Sequence, residues 1–342
     1  MEDTYYNEFL KLQEEKKATD AAENIKAFLS DNKPFCDRAL VYYNAYKTNV
    51  NKYVSRPHRV SADSFKNYLK PTNILVLTAN PIEKGVFLHW MSDKMNAPLE
   101  TLQINYHYYN IGYIDEKLIV HANTGKTGEE YTRRALNNVR KIFTPDYMFM
   151  LGICYGLADM RKYPIGSVFA SDDITAFRIN FRDKADSDDI TFEAEEESFK
   201  NKSPDEDLVE AVKGCWTSMQ TKSIFSDSNS IHIVRTEVGK FLSSNSLMDS
   251  RKVKAAVLEQ CGASKPKPLG GEMEGAGILK SYFVEEDGFN KWMVIKSICD
   301  WGEKKNSIHS NPAESERIKD SLQAFAMSNT CGAFENILFV LD

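Results

Sequence analysis

The chain has 342 residues, 42% hydrophobic and 27% charged, with a formal net charge of −6. At roughly 150 residues per domain this is room for two domains, or for one large domain with an appendage. Collagen-like and low-complexity chains are excluded, no apolar run reaches the ~18 residues of a membrane span, and the acidic balance argues against stable nucleic-acid binding.

Residues 1–70 read as a helical N-terminal extension. Three helical patterns appear, around 4–17, 19–30 and 35–50, marked by Phe9, Leu10 and Leu12, then Ile25, Phe28 and Leu29, then Val41, Tyr42 and Tyr46. Glycine is absent here, which suits helices joined by short turns. The stretch from Pro57 through Ser61–Lys70 looks like a junction. The extension either packs on the main domain or mediates dimer contacts, or it docks a regulatory partner. Its first residues, MEDTYYNEFLKLQEEKK, lack the apolar stretch of a signal peptide. Six scattered cysteines without a CxxC pair read as reduced thiols, so a cytoplasmic location is expected.

From 71 to 342 strands and helices alternate. Apolar runs at Ile74–Leu77, Lys117–His121, Tyr147–Leu151, Ser167–Ala170, Ile231–Val234 and Trp292–Ile298 predict buried strands. Helices are predicted at Glu129–Phe143, Asp205–Met219, Leu247–Gln260, Glu274–Glu285 and Glu314–Ala326. This order predicts an α/β layered catalytic domain with both sheet faces covered. The strongly acidic stretch 183–210 interrupts it and reads as a solvated loop leading into a helix, or as a lid.

Four constellations offer chemistry. Gly125-Lys126-Thr127 lacks the upstream glycine of a phosphate loop, because Val120 stands there; it remains a strand–helix turn able to present N–H groups to an anion. In Gly270-Gly271-Glu272-Met273-Glu274-Gly275-Ala276-Gly277, Glu272 and Glu274 share a side if the strand persists. That segment is either a charged strand end before a closely packed Gly/Ala helix, or a carboxylate pair that accepts from vicinal sugar hydroxyls. Asp300 ends the strand Val294–Asp300 at a carboxyl end, where α/β sheets bind ligands. It reads as a general acid with a raised pKa or as a turn aspartate. Glu83 follows the first strand in Thr78-Ala79-Asn80-Pro81-Ile82-Glu83-Lys84, where an exposed first-turn glutamate is the plain reading.

Taken in order, these segments resemble the purine nucleoside phosphorylase and nucleosidase superfamily, including the methylthioadenosine/S-adenosylhomocysteine nucleosidases. Gly152–Leu157 followed by Ile165–Val168 is similar to its mid-chain glycine turn and next strand. The CDWG ending resembles, more loosely, nucleosidase effector domains of immune proteins, which implies a nucleotide-depleting role in antiviral defence. The resemblance spans residues 72 to about 330. It implies a three-layer α/β/α sandwich around a twisted mixed β-sheet, assembled as a dimer or hexamer, and cleavage of an N-glycosidic bond to a purine, adenine in the first place.

By the same resemblance Asp300 gives a proton to purine N7, Glu274 holds the ribose hydroxyls, Met273 packs under the sugar, and Glu272 sits behind. Ile153, Cys154, Tyr155 and Gly156 line the floor, and Phe241 stacks on the base. A phosphorylase holds a dianion with arginines and glycines, and the hexameric phosphorylases carry an arginine shortly after the first strand. Here that turn holds Glu83, which would repel phosphate and activates water instead, implying a hydrolase. A phosphorylase and a non-catalytic nucleoside sensor remain the alternatives. Lys240, Lys304 and Lys305 suit a rim for a 5′-phosphate, or are surface lysines. Cys299 stands where the family commonly has serine. His89 and His107 are placed near the pocket, but the six histidines show no ligand spacing, so neither metal nor cofactor is implied.

Overall fold

The computed structural model describes residues 2–183, 190–197, 199, 203–226, 231–244, 251–260, 267–302 and 309–341. In place of three short helices, the N-terminus forms one helix, α1 (Glu2–Thr48), running through Pro34. The reason is phase. Ala21, Ile25, Phe28, Cys36, Ala39, Tyr43 and Tyr46 are buried at helical spacing on both sides of the proline, so tertiary packing holds the helix across the lost backbone bond. Val41, read as an inward residue, points to solvent at 67% exposure. The junction then folds as α2 (Val50–Tyr53), β1 (His58–Arg59) and α3 (Ala62–Phe65), with β1 adding to the sheet edge.

Next come β2 (Thr72–Thr78), α4 (Pro81–Met95), β3 (Glu100–Ile104), β4 (His107–Ile114), β5 (Lys117–Asn123), α5 (Glu129–Val139), β6 (Tyr147–Gly156), β7 (Val168–Asp183) and β8 (Ile190–Glu196). The chain closes with α6 (Glu206–Ser218), β9 (Thr236–Ser244), α7 (Arg251–Gln260), β10 (Gly270–Glu272), α8 (Gly275–Leu279), α9 (Tyr282–Glu285), β11 (Trp292–Asp300) and α10 (Pro312–Leu338). Strand β2, buried at every position, lies parallel to both β5 and β6. Beyond β6 the pairings close on themselves, β6–β11–β7–β9–β10–β6, so this half of the mixed sheet curls into a ring. Helices α1, α4, α6 and α10 form one layer, and α5, α8 and α9 the other. This is the three-layer sandwich that the resemblance implies.

Several expectations change. The acidic loop contains strand β8, paired with β7. The Ile231–Val234 run makes only an isolated bridge at Ile233, and the strand starts afterwards, at Thr236. The helix expected over Glu274–Glu285 breaks into α8 and α9. The first four residues expected in the helix at Leu247–Gln260 lie outside the described residues. The β3–β4 hairpin, unforeseen, turns on Asn105 and Tyr106, both at positive φ as a two-residue hairpin turn requires.

Candidate active site

Helix α4 begins with a capping box. Asn80 Oδ1 accepts from the Ile82 and Glu83 amides at 2.9 Å each, and Glu83 Oε2 accepts from Asn80 N at 3.0 Å. Pro81 fits the first helical position because no N–H is needed there. This box turns Glu83 inward. Its side chain is 1% exposed, so the exposed-glutamate reading is overturned. Oε2 also accepts from Ala79 N at 2.8 Å, and Oε1 from Ile153 N on β6 at 3.0 Å. Gly152 makes the approach possible, since a Cβ there would run into Glu83 Oε1.

Strand β10 ends at Glu272, and the chain turns into α8 with Glu274 at its N-cap. The turn overrules strand alternation, yet both carboxylates converge on one cation. Lys296 Nζ, in the middle of β11 and fully buried, lies 2.7 Å from Glu274 Oε2 and 3.8 Å from Glu272 Oε2. Glu272 faces back onto α8, accepting from Glu274 N at 2.8 Å and Gly275 N at 2.9 Å. That places a carboxylate at a helix N-terminus, where backbone donors have no intrahelical partner. The Gly/Ala helix is also closely packed, because a Cβ at Gly277 would meet the Glu129 backbone oxygen.

The residue after the Gly125-Lys126-Thr127 turn, and none of the three itself, is the one seen to donate to a carboxylate: Gly128 N donates to Glu274 Oε1 at 3.0 Å. Burial pushes the carboxyls of Glu83 and Glu272 above the ordinary glutamate range, and Lys296 pulls against it. Burial works against the Lys296 ammonium, but Glu274, Glu83 and Glu272 outweigh it and hold the proton on. One ammonium thus serves three buried carboxylates.

Asp300 stands where β11 bulges against β6, so that Ile298 pairs Cys154 and Asp300 pairs Tyr155. It is half-buried. Oδ1 accepts from Gly302 N at 2.7 Å, and Oδ2 lies 3.2 Å from the Cys299 thiol that donates to it. Asp300, Glu83, Ile153, Cys154, Tyr155, Glu272 and Met273 line one cavity of about 140 Å³, together with Asn80, Thr127, Gly271, Cys299 and Gln323. The Tyr155 ring lies against Gly271, where a Cβ would overlap it. Glu274 stands behind this wall on Lys296.

Some expected site residues fall elsewhere. Phe241 is fully buried against Phe169, with ring centroids 6.4 Å apart, and belongs to the core rather than to this cavity. Gly156 packs under the Trp301 ring and does not line the cavity. Lys240 is buried in β9 and is not a rim residue; Lys304 and Lys305 lie outside the described residues. His89 stacks on Tyr42 at 3.4 Å between α1 and α4, and His107 borders a different cavity.

Sequence reasoning missed Lys296, and its one signal is a lysine inside an otherwise apolar strand. Asn80 was missed as well, though an asparagine directly before Pro81 is the pattern of a helix N-cap. Gln323, brought in by α10, carries no local signal at all. That helix is pinned to the site floor by Thr330 Oγ1, which donates to Gly152 O at 2.9 Å.

No family model matches the chain. A curated relative, the death domain-containing ATP nucleosidase of Amphimedon queenslandica, is 27% identical over 193 residues. The match takes in 53% of this chain and 33% of that protein, so the chain spans about a third of the relative's length. Among solved structures, the methylthioadenosine/S-adenosylhomocysteine nucleosidase of Neisseria meningitidis aligns with a TM-score of 0.55 at 16% identity, over 79% of this chain and 100% of that one. The futalosine hydrolase of Helicobacter pylori gives 0.55 at 16%, over 79% and 98%. The Colwellia psychrerythraea nucleosidase, solved with adenine, gives 0.57 at 16%, over 79% and 96%. At such identities the likeness is one of fold, and the fold is the one these solved nucleosidases share.

Proposed function

We propose that the chain hydrolyses the N-glycosidic bond of a purine nucleoside or nucleotide and releases the free base, with adenine as the base. The observation that carries this reading is the meeting of Glu83 and Asp300 across one cavity, with Glu274 held behind it by Lys296. A binding module needs no such set of carboxylates.

The bond that breaks joins C1′ of the ribose to N9 of the purine. Asp300 gives a proton to N7, so the base leaves as a neutral species while the ribose takes on oxocarbenium character. Water attacks C1′, and Glu83 takes the proton that water sheds. A carboxyl raised by burial is the stronger base for this step, and the three backbone donors on Glu83 keep it in position. Glu274, expected on the ribose hydroxyls, stands instead behind the cavity wall, where it holds Lys296 and the Gly128 turn in place. Met273 packs under the sugar, and Ile153, Cys154 and Tyr155 form the floor. Cys299, which donates to Asp300, orients the acid.

Hydrolysis is favoured over phosphorolysis because the cavity wall, among the described residues, carries no arginine, and Glu83 occupies the place where a dianion would sit. The ATP nucleosidase relative favours an adenine nucleotide over methylthioadenosine. A cytoplasmic homo-oligomer acting as a nucleotide-depleting effector, gated through the 1–70 helical extension, fits this reading. Among the described residues no helix is long and apolar enough to cross a membrane.

The experiment is chromatography of free base after incubation with adenosine, methylthioadenosine, AMP, ATP, inosine and guanosine, with and without phosphate. Adenine release that needs no phosphate supports the reading. Release only with phosphate reverses the role given to Glu83.

A further inference from the structure

A second cavity, of about 510 Å³, opens between the end of α1, α2, the β3–β4 hairpin and α5. Its size lies within the range of small-molecule sites. In an acidic protein its wall, among the described residues, carries no carboxylate. It does carry Lys84, the neighbour of Glu83 on α4. Among the described residues the Lys84 ammonium meets neither a carboxylate nor a hydrogen-bond acceptor, and burial lowers its pKa. Such a cation is stabilised by any anion that reaches it.

Other polar groups on the wall are equally unspent. The hydroxyls of Tyr46 and Tyr109, on side chains 8% and 3% exposed, bond to no described residue. The carboxamides of Asn51 and Asn138 do not either. An ammonium, two phenols and two amides thus border the open cavity, with Asn51 exposed and Asn138 half-buried, and a ligand there takes the place of solvent on them. The aromatic faces supply the remaining surface, with Tyr108 at the rim, 57% exposed.

We propose that this cavity is a second small-molecule site, separate from the one at Glu83, that takes an anionic ligand with a planar ring and the size of a nucleoside monophosphate. The anionic group sits on Lys84, and the ring lies against the tyrosines with its edge on the free amides. The proposal does not rest on the hydrolase reading, because nothing in it requires turnover.

The test is photolabelling of the full chain with 8-azido-AMP, followed by mass-spectrometric mapping of the labelled peptides. The expected result is saturable labelling of the hairpin 105–110, competed by AMP and much less by adenosine or by inorganic phosphate alone. Loss of one charge-assisted contact in Lys84→Met weakens the labelling about tenfold or more. Tyr108→Ala, at an exposed position that leaves the core intact, weakens it as well. Labelling confined to peptides around 153–155 and 271–273, no labelling of the hairpin, or hairpin labelling that neither variant diminishes would each overturn the proposal. Equal competition by phosphate alone overturns the ring requirement, and equal competition by adenosine overturns the anionic one.

Discussion

Lys296 Nζ lies 2.7 Å from Glu274 Oε2, and neither side chain is more than 4% exposed. This pair joins the middle of β11 to the N-cap of α8, and through Gly128 to the turn after β5. A buried ammonium in this place neutralises part of the charge of three carboxylates that the fold has drawn together.

Removing the cation leaves those carboxylates without their partner. Lys296→Met is expected to destabilise the protein by about 3–5 kcal/mol, read from denaturant midpoints. In the surviving folded fraction, Glu83 loses the charge that opposes burial. The acidic limb of the rate profile therefore moves to higher pH, which a kcat/KM titration reads.

Glu83→Gln keeps the shape of the side chain and loses the base. If Glu83 activates water, kcat falls about 10²- to 10⁴-fold, while KM changes little. The amide end also faces backbone N–H groups that the carboxylate satisfied, so a stability loss of about 1–3 kcal/mol accompanies it. Thermal melting beside the kinetics separates the two effects.

Stability should depend on pH through Glu272. Burial raises its carboxyl above the ordinary value of 4.5, against the pull of Lys296. The native state therefore binds this proton more tightly than the unfolded chain does. Its contribution is complete below 4.5 and is lost as pH rises through the native value. In urea titrations between about pH 4 and 8, the wild type loses stability relative to Glu272→Gln as pH rises. Parallel curves for the two proteins would contradict this.

Gly152→Ala runs a methyl into Glu83 Oε1 and brings it within 3.1 Å of Lys296 Nζ, slightly inside ordinary contact. The expected outcome is a stability loss of about 1–3 kcal/mol together with loss of activity. The control is Gly214→Ala on α6, where a Cβ meets nothing within 4 Å; it should keep full activity.

Much of this was legible in the sequence. Continuous apolar runs marked β2, β5, β6 and β11, because strands buried on both faces leave no room for polar residues. Glu83 was legible as a carboxylate shortly past a strand end, and Asp300 as the last residue of a strand. What escaped were features set by distant contacts. The unbroken α1 depends on α4 and α10 holding both sides of Pro34 in phase. Phe241 and Lys240 looked available because a strand sequence does not say which of its faces the ring of strands encloses. Lys296 went unread because its function lies in three glutamates that reach it from other segments. The larger cavity at Lys84 is assembled from seven separate elements, and no motif announces it.

Glycosidic hydrolysis through Glu83 and Asp300 is tested by following adenine release from ATP and AMP in phosphate-free buffer, with wild type, Glu83→Gln and Asp300→Asn compared at equal folded concentration. The wild type is expected to give stoichiometric adenine and ribose phosphate, and each variant to lose about 100-fold or more. No release from the wild type, or release that both variants retain in full, would contradict it.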